Sequence, residues 1–77
     1  MRGMDRALCR GARAIAGINQ YELARAAGIG RGTVIAFEQG RSKPWPHTLA
    51  AIRGALQRLG VEFAEHGGAL CIRPAVR

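Results

Sequence analysis

Between Met4 and Leu59, apolar residues recur at intervals of three and four, the spacing of one face of an α-helix. The intervals fall into four stretches, and a glycine follows each of them. We therefore predict four helices around one core, all within a single small domain. The predicted inward-facing residues are Met4, Leu8, Ala12 and Ile15; Leu23, Ala24 and Ala27; Val34 and Phe37; and Leu49, Ile52, Leu56 and Leu59.

Local residue types predict where these helices begin and end. Asn19 followed by Glu22 is typical of a capping-box start, and Gly28 suits the left-handed residue that closes a helix. The third helix is predicted over residues 31–39, and the fourth begins at Pro46 or the next residue. The intervening segment "RSKPWP" is predicted to be a loop, with Trp45 packed over it as a lid.

After Gly60 the pattern changes to alternation, as in "VEFAEHGGALCIR". The Gly67–Gly68 pair is typical of a turn, so residues 61–77 predict a short β-hairpin. Its second strand is apolar on both faces. One small chain would cover only one of these faces, whereas a dimer would cover both. We therefore expect a dimer interface formed by Val61, Phe63, Leu70, Cys71 and Ile72.

The glycines of "AAGIGRGT", residues 26–33, allow three interpretations: a flexible hinge, a phosphate-binding loop or a tight turn between two helices. A phosphate-binding loop requires a strand before the glycines, and for a P-loop a Lys followed by Ser or Thr after them. Here the preceding segment "YELARAA" is helical. The tight turn fits every position of residues 20–39 and predicts a helix-turn-helix, whose second helix enters the DNA major groove.

The charge distribution also favours nucleic acid as a partner. The net charge is +7, and residues 1–60 contain ten Lys and Arg against three acidic residues, while residues 61–77 are balanced. A surface this basic is typical of proteins that meet a polyanion, either nucleic acid or an anionic membrane face. A solvated face that keeps the protein soluble is the alternative.

Other classes of function receive little support. Cys9 and Cys71 follow no metal-ligand spacing, and the chain has one Ser and one Asp, so we expect no metal, no cofactor and no catalytic site. No apolar run reaches the length of a membrane span, and no signal peptide is recognisable. We expect a cytoplasmic, nucleoid-associated protein without a small-molecule ligand.

Residues 8–59 resemble the Xre/Cro-type, lambda-repressor-like helix-turn-helix family, through "NQYELA" at residues 19–24 and the closing Glu38 to Gly40. The tail resembles that of small stand-alone bacterial or phage members. The resemblance implies a mainly α fold, with a four-helix domain over residues 1–60 followed by the hairpin. It also implies a turn fixed by Ala24 and Gly28, and an ion pair between Arg13 and Glu38.

Position and the resemblance together assign the expected DNA contacts. The third helix would present Arg31, Gly32, Thr33, Ile35 and Ala36 to the bases, with Arg31 the best candidate for gripping guanine. This helix has few hydrogen-bonding side chains compared with better-studied members, which leaves part of the specificity to DNA shape. The expected phosphate contacts are Gln20, Arg25, Gln39, Arg41, Ser42 and Lys43.

The expected function is a sequence-specific transcriptional regulator, a repressor that binds an inverted repeat in double-stranded DNA as a homodimer. Two alternatives stay open. One is a protein-interaction module, such as the antitoxin of a toxin pair, and the other is a non-specific nucleic-acid-binding protein.

Overall fold

A computed structural model describes residues 4–75 and contains four helices followed by a two-stranded antiparallel sheet. The predicted fold class, a mainly α four-helix domain with a C-terminal hairpin, is confirmed. None of the helices in the described range is long and apolar enough to cross a bilayer. The elements are α1 (Arg6–Ala16), α2 (Gln20–Ala27), α3 (Arg31–Glu38), α4 (Pro46–Arg58), β1 (Val61–His66) and β2 (Ala69–Pro74).

The helix ends follow the sequence closely. The Asn19 side chain accepts a hydrogen bond from the backbone N–H of Glu22 at 2.8 Å, and the Glu22 carboxylate accepts one from the N–H of Asn19 at 2.9 Å. This is a complete capping box. Gly17 and Gly28 close α1 and α2 with φ of 73° and 69°, a left-handed conformation that glycine adopts without Cβ strain.

The core lies between the helices and the inner face of the hairpin. Its buried apolar residues are Met4, Cys9, Ala12, Leu23, Ala24, Val34, Phe37, Ile52, Ala55, Leu56 and Val61. Leu59 was predicted to face inward, and that prediction is wrong, since its side chain is 42 % exposed. The helix α4 ends at Arg58, and Ala55 and Leu56 fill the inward-facing positions of its last turn.

The hairpin packs against α1 and α4 through one face. Phe63 pairs with Ile72 on that face, and β2 approaches α1 so closely that a Cβ built on Gly11 would lie 2.9 Å from the Ile72 Cδ1 atom. The opposite face carries Cys71, which is exposed. One predicted interface residue needs correction, because Val61 is only 1 % exposed and offers a partner no surface.

Candidate nucleic-acid interface

A tight turn joins α2 to α3 and sets their relative orientation. The N–H of Ile29 donates to the carbonyl oxygen of Ala24 at 3.0 Å, and the half-buried Ile29 packs against the core below. Ala24 is buried where α2 meets its neighbours, so its small side chain permits the close approach. In this turn Ala24 is buried and Gly28 is the left-handed residue that closes α2.

The carboxylate of Glu38 is the most densely bonded polar group of the described chain. It accepts hydrogen bonds from Arg13 Nε at 2.7 Å and Arg13 Nη2 at 2.8 Å, from Gln20 Nε2 at 3.0 Å and from Cys9 Sγ at 3.1 Å. Since Arg13 and Cys9 belong to α1 and Gln20 to α2, this one side chain ties three helices together.

The surroundings of Glu38 also set its protonation. Burial alone would raise the pKa of this carboxyl, but the hydrogen bonds from Arg13, Cys9 and Gln20 outweigh burial and lower the pKa. The carboxylate is therefore ionised at neutral pH. Burial raises the pKa of the Cys9 thiol, and the neighbouring Glu38 carboxylate raises it further, so Cys9 remains an uncharged donor.

Gln20 was predicted to contact a phosphate, and in the free protein its amide donates to Glu38 instead. The capping box occupies the N–H groups of Asn19 and Glu22. The N–H groups of Gln20 and Tyr21 lie in the first turn of α2, where no intrahelical acceptor exists. In the free protein these two backbone N–H groups are therefore the unpaired donors at this helix start, while the Gln20 amide is engaged with Glu38.

Several basic residues counted above as surface charge bind other parts of the protein. Arg6 Nη1 donates to the carbonyl oxygen of Gln39 at 3.2 Å, and Arg10 Nη1 donates to that of Glu38 at 2.8 Å. Both cap the carboxyl end of α3, whose last carbonyl groups lack helical partners. Arg58 Nη2 likewise donates to the carbonyl oxygen of Ala26 at 3.0 Å. These cations stabilise the fold, and the basic surface available to a ligand is smaller than composition suggests.

Five cations of the described range remain. One is Arg53 on α4, which lies over the Phe63 ring, and the other four are those we call the basic face: Arg25, Arg31, Arg41 and Lys43. All four are exposed, and within residues 4–75 none of them donates a side-chain hydrogen bond. They lie on α2, on the first residue of α3 and in the loop after α3. The positive charge free to meet a ligand is thus concentrated around the helix-turn-helix.

The N-terminal end of α3 is open to solvent. Arg31, Gly32 and Thr33 are exposed, and a Cβ built on Gly32 would meet nothing within 4 Å. Further along the helix, Ile35 and Ala36 are half-buried. The predicted base-contacting residues therefore share one helix, with the polar ones at its accessible start.

The loop after α3 begins at a fixed place. Gly40 is left-handed with φ of 75°, and the N–H of Arg41 donates back to the carbonyl oxygen of Ala36 at 2.8 Å. This arrangement holds Arg41 directly beside the end of α3. Gln39 and Ser42 are exposed on either side of it.

The environment predicted for Trp45 is wrong, and Tyr21 was not identified from the sequence. Trp45 was predicted to be a packing lid, but 74 % of its surface is exposed, and it precedes α4 without a side-chain capping bond. Tyr21 was not singled out, although its ring lies beside the guanidinium groups of Arg25 and Arg31. The Tyr21–Arg25 spacing of four residues within a helix could have indicated the first of these contacts.

Among residues 4–75, no cluster of His, Cys, Asp and Glu could hold a metal ion. No curated protein matches the chain significantly. A helix-turn-helix family profile matches residues 10–64, which span all four helices apart from the first residues of α1. The chain therefore belongs to the Xre/lambda-repressor-like helix-turn-helix family of DNA-binding regulators.

Proposed function

We propose that this protein is a transcriptional repressor that binds an inverted repeat as a homodimer, with α3 of each copy in the major groove. The observation that carries the proposal is the basic face. Arg25, Arg31, Arg41 and Lys43 place unused donors on and beside the helix-turn-helix, whereas the arginines of α1 donate to other groups of the protein. The proposed activity is binding rather than catalysis, and it requires a cytoplasmic, nucleoid-associated location.

Direct base recognition in this proposal rests on Arg31. Its guanidinium can donate two parallel hydrogen bonds to O6 and N7 of guanine, a pair worth about 1–3 kcal/mol of discrimination. Thr33 can add a hydroxyl donor or a methyl contact. Ile35 and Ala36 contribute apolar surface suited to thymine methyl groups, and Gly32 lets the backbone approach the groove wall.

Phosphate contacts would fix the orientation of α3 without reading sequence. One strand of the duplex would meet the start of α2, with the N–H groups of Gln20 and Tyr21 and the side chain of Arg25. The DNA backbone beyond the far end of α3 would meet four loop residues: Gln39, Arg41, Ser42 and Lys43. Because each neutralised phosphate releases counterions, these contacts make the affinity depend steeply on salt.

Dimerisation is proposed to use the hairpin. Within the described range each strand has a single neighbour, so each outer edge of the sheet lacks a strand partner. Cys71 is exposed on the outer face, while Phe63, Leu70 and Ile72 pack against the core and remain partly exposed. A second copy that joined this hairpin would place two α3 helices on one duplex, with half-site centres about 10 base pairs or a multiple apart.

Selection of bound duplexes from a random 30-base-pair pool at near-physiological salt tests the proposal. Recovery of an inverted repeat, together with relaxation of one base position in each half-site by Arg31→Ala, would support specific dimeric binding. Sedimentation of the wild-type protein at tens of micromolar, with and without the recovered duplex, tests dimerisation separately. A monomer under both conditions would contradict it.

A second candidate, non-specific nucleic-acid binding, is favoured by the sparse polar groups on α3. Gly32, Ile35 and Ala36 offer no side-chain hydrogen bonds to bases. In that case the pool would yield no motif, and binding would vary with salt but hardly with sequence. If duplexes did not bind at all, the remaining candidate would be a protein-interaction module of the antitoxin kind.

A further inference from the structure

Tyr21 lies on the first turn of α2, and 50 % of its surface is exposed. Two guanidinium groups lie beside its ring, that of Arg25 on α2 and that of Arg31 on α3. The Cζ atom of Arg31 is 5.7 Å from the centre of its ring, and the Cζ atom of Arg25 is 6.0 Å away. Both distances fall within the range of cation–π attraction. The Arg31 contact is the more informative, because it crosses from α2 to the first residue of α3.

The chemistry of this contact leaves Arg31 able to bind. A guanidinium carries five N–H donors in one plane, and its charge attraction to an aromatic ring does not pair them with acceptors. Among residues 4–75 the Arg31 side chain donates no hydrogen bond to the protein. The ring can therefore hold the side chain without occupying the donors that would meet a base.

Restricting the conformations of the Arg31 side chain affects its preference for the correct base. A long exposed arginine loses rotamer freedom when it binds, and that loss subtracts from the affinity for the correct base. A side chain already held near one orientation loses less. This saving in rotamer freedom matters most for a bidentate contact, because two N–H donors of one guanidinium must align with the base at once.

We propose that Tyr21 is a positioning residue for Arg31, which orients its guanidinium for base recognition from α3. The inference rests on the proposed function, since it names the residue that sharpens recognition at that same site. Tyr21 itself contacts no base in this account. The effect of its ring on base preference reaches the DNA through Arg31, while its backbone N–H keeps the proposed phosphate contact in every variant.

The matched variants are Tyr21→Leu, which keeps an apolar side chain but removes the ring, and Tyr21→Phe, which keeps the ring and removes only the hydroxyl. The random-pool selection is repeated with both, alongside wild type and Arg31→Ala. Tyr21→Leu should weaken the preference at the position that Arg31→Ala relaxes by about two- to fivefold. Tyr21→Phe should retain the wild-type preference, and the other positions should not change.

A DNA-free measurement accompanies the selection. In the wild-type protein the side-chain protons of Arg31 should show ring-current shifts in the NMR spectrum, and Tyr21→Leu should abolish them. Absence of these shifts in the wild type would overturn the inference without any variant. Equal weakening of binding to all duplexes by Tyr21→Leu would also overturn it, because that result indicates a phosphate contact.

The random-pool selection distinguishes failure of the proposed function from failure of the Tyr21 inference. If the wild-type protein recovers no motif, the proposed function fails and this inference fails with it. If the wild type recovers a motif and Tyr21→Leu preserves every preference, only the inference fails.

Discussion

Glu38 and Arg13 form a two-pronged ion pair, with Arg13 Nε 2.7 Å from Oε2 and Arg13 Nη2 2.8 Å from Oε1 of the carboxylate. The pair joins the end of α3 to the last turn of α1, and Glu38 itself is only 2 % exposed. The helix that carries Arg31 is thus anchored at its far end by a buried charge. Its accessible end stays free for a ligand.

Removing this anchor should be costly. Glu38→Ala leaves the Arg13 guanidinium without its carboxylate and deprives Gln20 and Cys9 of their acceptor, so the free energy of unfolding should fall by about 3 kcal/mol or more. Urea titration measures the change. Glu62→Ala is the matched control, because Glu62 pairs with Arg73 on the exposed hairpin surface, and its loss should cost less than about 1 kcal/mol. Similar effects from the two substitutions would contradict the assigned role of Glu38.

The same carboxyl predicts a dependence of stability on acid. Because the pKa of Glu38 is lower in the folded protein than in the unfolded chain, its ionised form contributes fully at neutral pH. The contribution should decline as the pH falls below about 4.3, the ordinary value of a glutamate, and vanish below the folded pKa. Urea titrations between pH 7 and pH 3 should therefore show a shallower decline for Glu38→Gln than for wild type. Equal slopes would exclude Glu38 as a source of the acid sensitivity.

The two cysteines should differ sharply in reactivity. Cys9 is buried with a raised pKa, whereas Cys71 is exposed, so an aromatic disulfide reagent should modify one thiol per native chain. Cys71→Ser should remove this reaction and leave Cys9 reactive only after unfolding. If the hairpin dimerises as proposed, the Cys71 reaction should slow as the protein concentration rises to tens of micromolar. A rate independent of concentration would count against Cys71 at the interface.

Trp45 provides an internal fluorescent probe, because it is the single tryptophan and lies in the same loop after α3 as Arg41 and Lys43. Acrylamide, a neutral quencher, should reach it freely in the unbound protein. Addition of duplex DNA should reduce the quenching, since the proposed phosphate contacts cover this loop. Unchanged quenching at saturating duplex would place the loop outside the interface.

The sequence predicts the framework of this fold well, because local chemistry determines it. Asn19 and Glu22 form the expected capping box, and Gly28 adopts the left-handed turn, since each depends on neighbours only a few positions away. The hairpin follows for the same reason from alternation around a Gly–Gly turn. The environments of Val61 and Leu59 were predicted wrongly. The periods of helix and strand indicate which residues share a face, but the point at which α4 ends determines that Val61, and not Leu59, reaches the core.

The contact partner of each arginine side chain is harder to predict from the sequence. Arg6 and Arg10 lie on a polar face of α1 and were counted as surface charge, yet both reach carbonyl oxygens at the end of α3. A side chain of this length reaches partners that only the tertiary packing brings near. The contact of Arg31 with Tyr21 was missed for the same reason, because it joins two different helices.

The central claim, that α3 reads sequence through Arg31, is tested most directly by a ratio of dissociation constants. Binding is measured at one salt concentration to a duplex carrying the recovered inverted repeat and to the same duplex with scrambled half-sites. Wild type should prefer the repeat by about 10³-fold or more. Arg31→Ala should lose at least about tenfold of that preference, whereas Arg53→Ala, which removes an equal charge from α4 beside Phe63, should retain it. A wild-type ratio near one, or equal losses in the two variants, would contradict sequence-specific recognition through α3.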